Sequence, residues 1–258
     1  MPPGDLAVII PARNEAERVA ATVCAASKLS GADIVVVVDD GSADGTAALA
    51  VSAGAHLVRH ARRRGKAAAL ETGAEAVRLI EASAASVPAS GPRHLLFLDA
   101  DLADSAIEAG PLADPVRAGI ADMTIAVFST RVRIGGFGVV TTAAGTGIQR
   151  ATGWRPAQPL NGQRCLTRAA FTAALPLAPG WGAETGMTID LLRMGMRVTE
   201  VEVPLSHRAT GTDWRSQLHR LHQLADVSRA LLAREPAVVR LRSSLASPGA
   251  GANGRLPR

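Results

Sequence analysis

The chain has 258 residues, 47% hydrophobic and 20% charged, enough for one large α/β domain or two small ones around a substantial core. Its formal net charge of +5 is concentrated at Arg59, Arg62, Arg63, Arg64 and Lys66 and again toward the C-terminus. That balance suits a phosphorylated small molecule, and the lack of interleaved basic and aromatic residues argues against nucleic acid as the partner.

Leu6 to Ile10 reads as a buried strand stopped by Pro11, and Glu15 to Lys28 as a helix with apolar and Ala positions at helical spacing. Ile34 to Val38 is a β-branched run bounded by turn residues, a central strand covered on both faces. The loop Asp39 to Thr46 leads into a helix from Ala47. A short strand over His56 to Val58, a long Ala-rich helix from Gly65 to about Ala82 and a polar connection over Ser83 to Pro92 come next. Leu95 to Leu98 is then a strand that delivers Asp99-Ala100-Asp101.

Farther on, Ile125 to Thr130 reads as a strand, and the Gly-rich stretch through Gly135-Gly136-Phe137-Gly138 and Gly145-Thr146-Gly147 as a long loop acting as a substrate lid. Glu184 to Met194 is a helix, Val198 to Val203 a strand, and Asp213 caps a helix through Arg234 with an apolar face of Trp214, Leu218, Leu221, Leu224, Leu231 and Leu232. The tail beyond Pro236 is rich in Ser, Gly, Pro and Arg, and residues 244–258 are expected to be disordered. Strands alternating with helices predict an α/β fold: a mostly parallel sheet flanked by helices, with right-handed crossovers.

Ligands of such sheets bind beyond the carboxyl ends of the strands, where Asn14, Asp39, Asp40, Asp99 and Asp101 are all expected. Two carboxylates one residue apart at a buried strand end can grip a divalent cation such as Mg²⁺ or Mn²⁺, whose remaining ligands are nucleotide phosphates.

The spacing of three motifs resembles the nucleotide-sugar glycosyltransferases of the GT-A fold. They are Ile9-Ile10-Pro11-Ala12-Arg13-Asn14-Glu15, then Val36-Val37-Val38-Asp39-Asp40-Gly41-Ser42 with Asp44-Gly45-Thr46, then Leu98-Asp99-Ala100-Asp101. The resemblance implies a single domain over residues 1–243, with a nucleotide-sugar-binding half at 6–125 and an acceptor-side half at 126–243. It also implies that Pro11, Ala12, Asn14, Glu15, Asp39, Asp40, Asp99 and Ala100 face the nucleotide sugar. Asp39 or Asp40 suits the imino hydrogen of a base, or one of them only closes the turn. Glu15 bonds a ribose hydroxyl or complements a helix dipole. Gly65-Lys66 resembles the segment in which a Lys approaches the diphosphate or sugar, with Ala67 where relatives have Gly.

In the second half Gln158-Pro159-Leu160-Asn161-Gly162-Gln163, Pro179-Gly180-Trp181-Gly182-Ala183-Glu184, Asp190 and His207-Arg208 resemble the glucosyl-3-phosphoglycerate synthases. Carried over, Asn161 and Gly162 lie on the acceptor side and Glu184 holds sugar or acceptor hydroxyls. His207, just past a strand ended by Pro204, joins Asp101 and Asp99 as a metal ligand. Relatives that use phosphoglycerate carry Arg after a Gly-Gly pair and Asn soon after the His-Arg pair. Here Phe137 and Ala209 follow instead, with Arg131, Arg133 and Arg150 as other sources of positive charge, so the acceptor stays open.

The expected activity is metal-dependent transfer of a sugar from a nucleoside diphosphate sugar, UDP-linked in preference to GDP-linked, to a small hydroxylated acceptor. If the anomeric centre inverts, Glu184 or Asp190 takes the acceptor proton; if it is retained, no protein base is required. A polyprenyl-phosphate sugar synthase using the C-terminal amphipathic helix at a membrane surface is the alternative, and a nucleotidyltransferase ranks lower because its Gly-rich first loop is missing. Partners are then the donor, the acceptor and, as an assembly, a homodimer. Cys24 and Cys165 lack metal-ligand spacing, no basic segment opens the chain and no apolar run approaches the roughly 20 residues that span a bilayer, so a cytoplasmic protein is expected.

Overall fold

A computed structural model describes residues 4–83, 91–128, 138–205 and 214–235, with side chains of 138, 139 and 214–222 left aside. The calls on Arg131, Arg133, Gly135-Gly136-Phe137, His207 to Ala209 and the tail 244–258 therefore lie outside the described residues.

The elements in order are β1 (Leu6–Ala12), α1 (Val19–Ala26), β2 (Ala32–Asp39), α2 (Thr46–Ser52), β3 (His56–Arg59), α3 (Lys66–Ser83) and β4 (His94–Phe97). A 3₁₀ segment (Ala103–Leu112), α4 (Asp114–Arg117), β5 (Met123–Phe128), α5 (Gly138–Thr152) and β6 (Arg164–Leu166) follow. The described chain closes with α6 (Arg168–Ala173), α7 (Gly182–Arg193), β7 (Val198–Val203) and α8 (Trp214–Leu232). One seven-stranded sheet has the order β3-β2-β1-β4-β6-β5-β7, and only β6 runs antiparallel to its neighbours. The expected α/β sheet is thus present, and the division after residue 125 falls inside β5.

Because strand side chains alternate between faces, β1 feeds two cores. Leu6, Val8, Ile10 and Ala12 pack under α1 and the 3₁₀ segment, while Ala7 and Ile9 pack under α3, α6 and α7. Both faces are covered, which is why β1 and β2 read as nearly unbroken apolar runs. Pro11 does not end β1 as expected: it pairs in register with Val38, and β4 reaches only as far as Ile9. Its missing N–H faces the side that β4 has already vacated, so no ladder bond is lost.

The expected Gly-rich lid is also corrected, because Gly138 onward forms α5. A Cβ on Gly147 would lie 2.3 Å from Leu231 Cδ2, and one on Gly145 3.9 Å from Pro159 Cγ. Gly147 is there to let α5 and α8 approach closely, which a count of helix breakers misreads as a loop.

Gly73 performs the same service for α3, since an added Cβ would sit 2.4 Å from Ile9 Cγ2 and 3.2 Å from Val38 Cγ2. Gly73→Ala gains about 1 kcal/mol of helix propensity but overpacks the core by about 1–3 kcal/mol. The expected result is a lower melting temperature in a calorimetric scan; an unchanged or raised one would show that α3 lifts from the sheet without cost.

Candidate functional site

The loops beyond β1 and β2 are buttoned to each other. Asn14 takes the left-handed backbone (φ 55°) that Asn tolerates well. Its N–H donates to Ser42 Oγ at 2.9 Å and its Oδ1 accepts from the Ala43 N–H at 2.9 Å. The Glu15 N–H donates to Thr46 Oγ1 at 2.8 Å, and the Ala12 carbonyl accepts from the Asp40 N–H. These polar motif residues therefore shape the two loops with their own hydrogen bonds. Pro11 is half-buried and Ala12 buried where β1 leads into them.

Asp39 and Asp40 have different surroundings. Asp39 is fully buried; its Oδ1 accepts from the Ser42 N–H at 2.9 Å. Its Oδ2 lies 3.0 Å from Arg59 Nε but receives no directed hydrogen bond among the described residues. Asp40 is taken up: Oδ1 accepts from Arg64 N at 2.7 Å and pairs with His60 Nδ1 at 2.8 Å, and Oδ2 accepts from Gly65 N at 2.8 Å. Burial works against ionisation of Asp40, but His60 and the two amides outweigh it and hold the carboxyl below its ordinary 3.8. The stability this supplies is present above that value and is lost as the pH falls through the lowered pKa.

α1 holds the turn after β4. Thr22 Oγ1 donates to the Ala100 carbonyl and accepts from the Ala103 N–H, each at 2.8 Å, and Arg18 Nη1 donates to the Asp101 carbonyl at 3.2 Å. Ala100 is buried, Asp101 half-buried.

Asp99 stands at the centre of a charged cluster. Lys66 Nζ donates to its Oδ1 and Gln163 Nε2 to its Oδ2, both at 2.7 Å. The same ammonium lies 3.2 Å from Glu184 Oε1. Burial opposes the charge on Lys66, yet the two carboxylates raise its pKa above the ordinary 10.5, so it is a cation throughout the neutral range. Glu184 is 2% exposed, at the N-terminal turn of α7, and neither of its oxygens receives a directed hydrogen bond among the described residues. A buried carboxylate in that condition is a ready acceptor for ligand hydroxyls.

Gly162 closes the cluster from the side: a Cβ there would stand 2.2 Å from Lys66 Nζ and 3.3 Å from Asp99 Oδ1. Asn161, next to it, donates from Nδ2 to the Ala126 carbonyl at 2.8 Å and accepts at Oδ1 from the Gln163 N–H at 3.0 Å. Beneath them the buried Arg164 donates to the carbonyls of Pro159, Asn161 and Glu184 and to Thr188 Oγ1. Burial pushes its pKa down to about 10, against Glu184 and Glu200, which leaves it cationic at neutral pH. It ties the Asn161-Gly162 loop to the helix that carries Glu184.

Lys66, Asp99, Glu184 and Gly162 are thus brought together as a group. Asp190, expected as an alternative base, is not: it pairs with Arg234, Nε to Oδ1 at 2.7 Å, beside a groove lined by Ala173, Pro176 and Arg229. Sequence reasoning missed Gln163, Arg164 and His60. Gln163 lay inside a quoted motif, but nothing in the pattern marks a buried Arg or a His at a strand end. Among the described residues no three potential ligands cluster around a metal position. The donor chemistry still fits a hard cation, with the carboxylates of Asp99 and Asp101 on one turn beside the Lys66 ammonium.

A family model for glycosyl transferase family 2 matches residues 7–141, just over half the chain. Glycosyltransferase AglJ of Haloferax volcanii is 31% identical over 215 residues, covering 82% of this chain and 66% of that protein. Glucosyl-3-phosphoglycerate synthase of Mycolicibacterium paratuberculosis is 28% identical, covering 74% of this chain and 61% of that protein. The chain therefore spans slightly less than two thirds of the length of these curated relatives. The solved glucosyl-3-phosphoglycerate synthase of Mycobacterium tuberculosis in complex with Mn²⁺, uridine diphosphate and phosphoglyceric acid superposes with a TM-score of 0.69 at 26% identity, covering 90% of this chain and 78% of that one. The same enzyme with Mg²⁺ and uridine diphosphate gives 0.70, covering 90% and 79%. Three strand-end motifs, a seven-stranded sheet of the same fold and a family match across β1 to β5 lead to one assignment: the chain belongs to glycosyl transferase family 2.

Proposed function

We propose that this protein transfers a sugar from a nucleoside diphosphate sugar, UDP-linked in preference to GDP-linked, to a small hydroxylated acceptor carrying phosphate or carboxylate. The observation that carries the reading is the Lys66–Asp99–Glu184 cluster, a buried carboxylate without a directed partner beside an ammonium, at the carboxyl end of β4. The relatives crystallised with Mn²⁺ or Mg²⁺ and uridine diphosphate support the donor class, and the complex with phosphoglyceric acid supports the acceptor class. Family membership sets the nucleotidyltransferase alternative aside. No helix among the described residues is long and apolar enough to cross a membrane.

Asp101, with Asp99 and His207, would hold Mg²⁺ or Mn²⁺, which when bound neutralises the charge of the departing diphosphate. Asp39 offers its buried Oδ2 to an imino hydrogen of the base. Lys66 presents a permanent cation between the diphosphate and the sugar, oriented by Asp99. Glu184 accepts hydrogen bonds from sugar or acceptor hydroxyls, and of the two carboxylates weighed as a base it is the one beside Lys66. Gly162 leaves room for that ammonium, and a Cβ there would displace it from between Asp99 and Glu184.

Turnover of UDP-glucose with Mn²⁺, followed as UDP release with phosphoglycerate and other small hydroxy acids as acceptors, tests the reading. Acceptor-dependent release that EDTA abolishes is expected. Release from no nucleoside diphosphate sugar, with any acceptor, would defeat it.

A further inference from the structure

We propose that His60 and Asp40 are positioning residues that set the Arg64-Gly65-Lys66 turn and so hold the Lys66 ammonium between Asp99 and Glu184; this rests on the reading that Lys66 serves the donor. Residues 61–64 are exposed, and the hydrogen bonds donated by the backbone at Arg64 and Gly65 both go to one carboxylate, that of Asp40. Gly65 has φ +92°, a backbone state that favours glycine, so the approach to α3 is a sharp bend without side-chain support of its own. Asp40 is itself fixed by His60, whose Nδ1 lies 2.8 Å from Asp40 Oδ1 and whose Nε2 lies 3.0 Å from Thr72 Oγ1 on α3. Asp40 and His60 are each 6% exposed, which shields the pair from competing water.

The imidazole therefore bridges the end of β2 to a point six residues into α3, and the carboxylate between them holds the bend at which α3 begins. Gly41 presses on the same bend, since a Cβ there would stand 3.0 Å from the Arg62 carbonyl carbon and from Arg63 N. The body of α3 is seated on the sheet through Gly73, but Lys66 is its first residue and follows the bend directly. Its contacts with Asp99 and Glu184, at 2.7 and 3.2 Å, leave little tolerance. Next door, Asp39 faces the Ser42 N–H and the Arg59 guanidinium, so adjacent residues at one strand end take different partners, and Asp40 is the one that braces the turn.

Three full-length variants test this. In His60→Ala, amide exchange at Arg64 and Gly65 should speed up while the sheet stays protected. UDP-glucose turnover with Mn²⁺ should show kcat down by about 10- to 100-fold, the scale of a misplacement near 1 Å, with KM little changed. His60→Asn, whose amide can donate to Asp40 from nearly the same place, should recover most of both. Thr72→Val should have a small effect in the same direction. Unchanged exchange at Arg64 and Gly65, or a kcat loss that His60→Asn does not recover, would overturn the proposal. If exchange responds and is rescued while the wild-type turns over no nucleotide sugar, the brace stands and the functional reading is what failed.

Discussion

Lys66→Met is expected to lower turnover of a nucleoside diphosphate sugar by about 10²- to 10³-fold, the usual cost of losing one preorganised group that meets developing charge. The same change leaves the carboxylate of Glu184 buried without the ammonium beside it. Stripping one partner from a fully buried pair costs about 3–5 kcal/mol, and the partial exposure of Lys66 and Asp99 reduces this to about 2 kcal/mol. For a chain of this size that is a drop of about 4–8 °C in melting temperature. Adding Glu184→Gln to Lys66→Met should return most of the lost stability, because the uncompensated charge is gone, and none of the turnover. Steady-state kinetics beside calorimetry separates the two effects. Full activity in Lys66→Met would remove the cluster from the donor site.

Asp101→Ala is expected to uncouple nucleotide binding from the divalent cation. Coupling between two ligands that share a site is about 5- to 150-fold. Calorimetric titration of UDP into the wild type should therefore show tighter binding with Mn²⁺ than with EDTA by a factor in that range. In Asp101→Ala the two affinities should converge on the EDTA value, with the ligand-free protein still unfolding in one cooperative transition. A variant that keeps its Mn²⁺ response would take Asp101 out of the metal site.

Most of the sheet was legible because burial on both faces leaves an unmistakable mark: β1 and β2 are nearly unbroken apolar runs, and Asn14, Asp39 and Asp40 lie at or just past their ends. The carboxylates were placed by topology alone, since parallel strands with crossover helices gather their carboxyl ends on one edge. What each carboxylate does was not legible. Asp39 and Asp40 are indistinguishable in sequence, yet one keeps an oxygen without a directed bond and the other is saturated by His60 and two amides. Asp190 lies on the same helix as Glu184, but six residues further along is about 9 Å and about a third of a turn away in direction, which brings it to Arg234 rather than to Lys66. β6 spans three residues and was too short to register, so its buried Arg164 went unseen. α5 was hidden by its glycines, and the purpose of Gly147, contact with α8, is a long-range fact that local propensity does not carry.

The most direct measurement of the central claim is the melting temperature of the intact chain with UDP-sugars and GDP-sugars, in Mn²⁺ and in EDTA. Ligand at a hundredfold excess over its dissociation constant stabilises by about 2.7 kcal/mol, or about 5–10 °C here. Such a rise is expected with a UDP-sugar in Mn²⁺ and a much smaller one in EDTA. No rise with any nucleotide sugar when metal is present would contradict it.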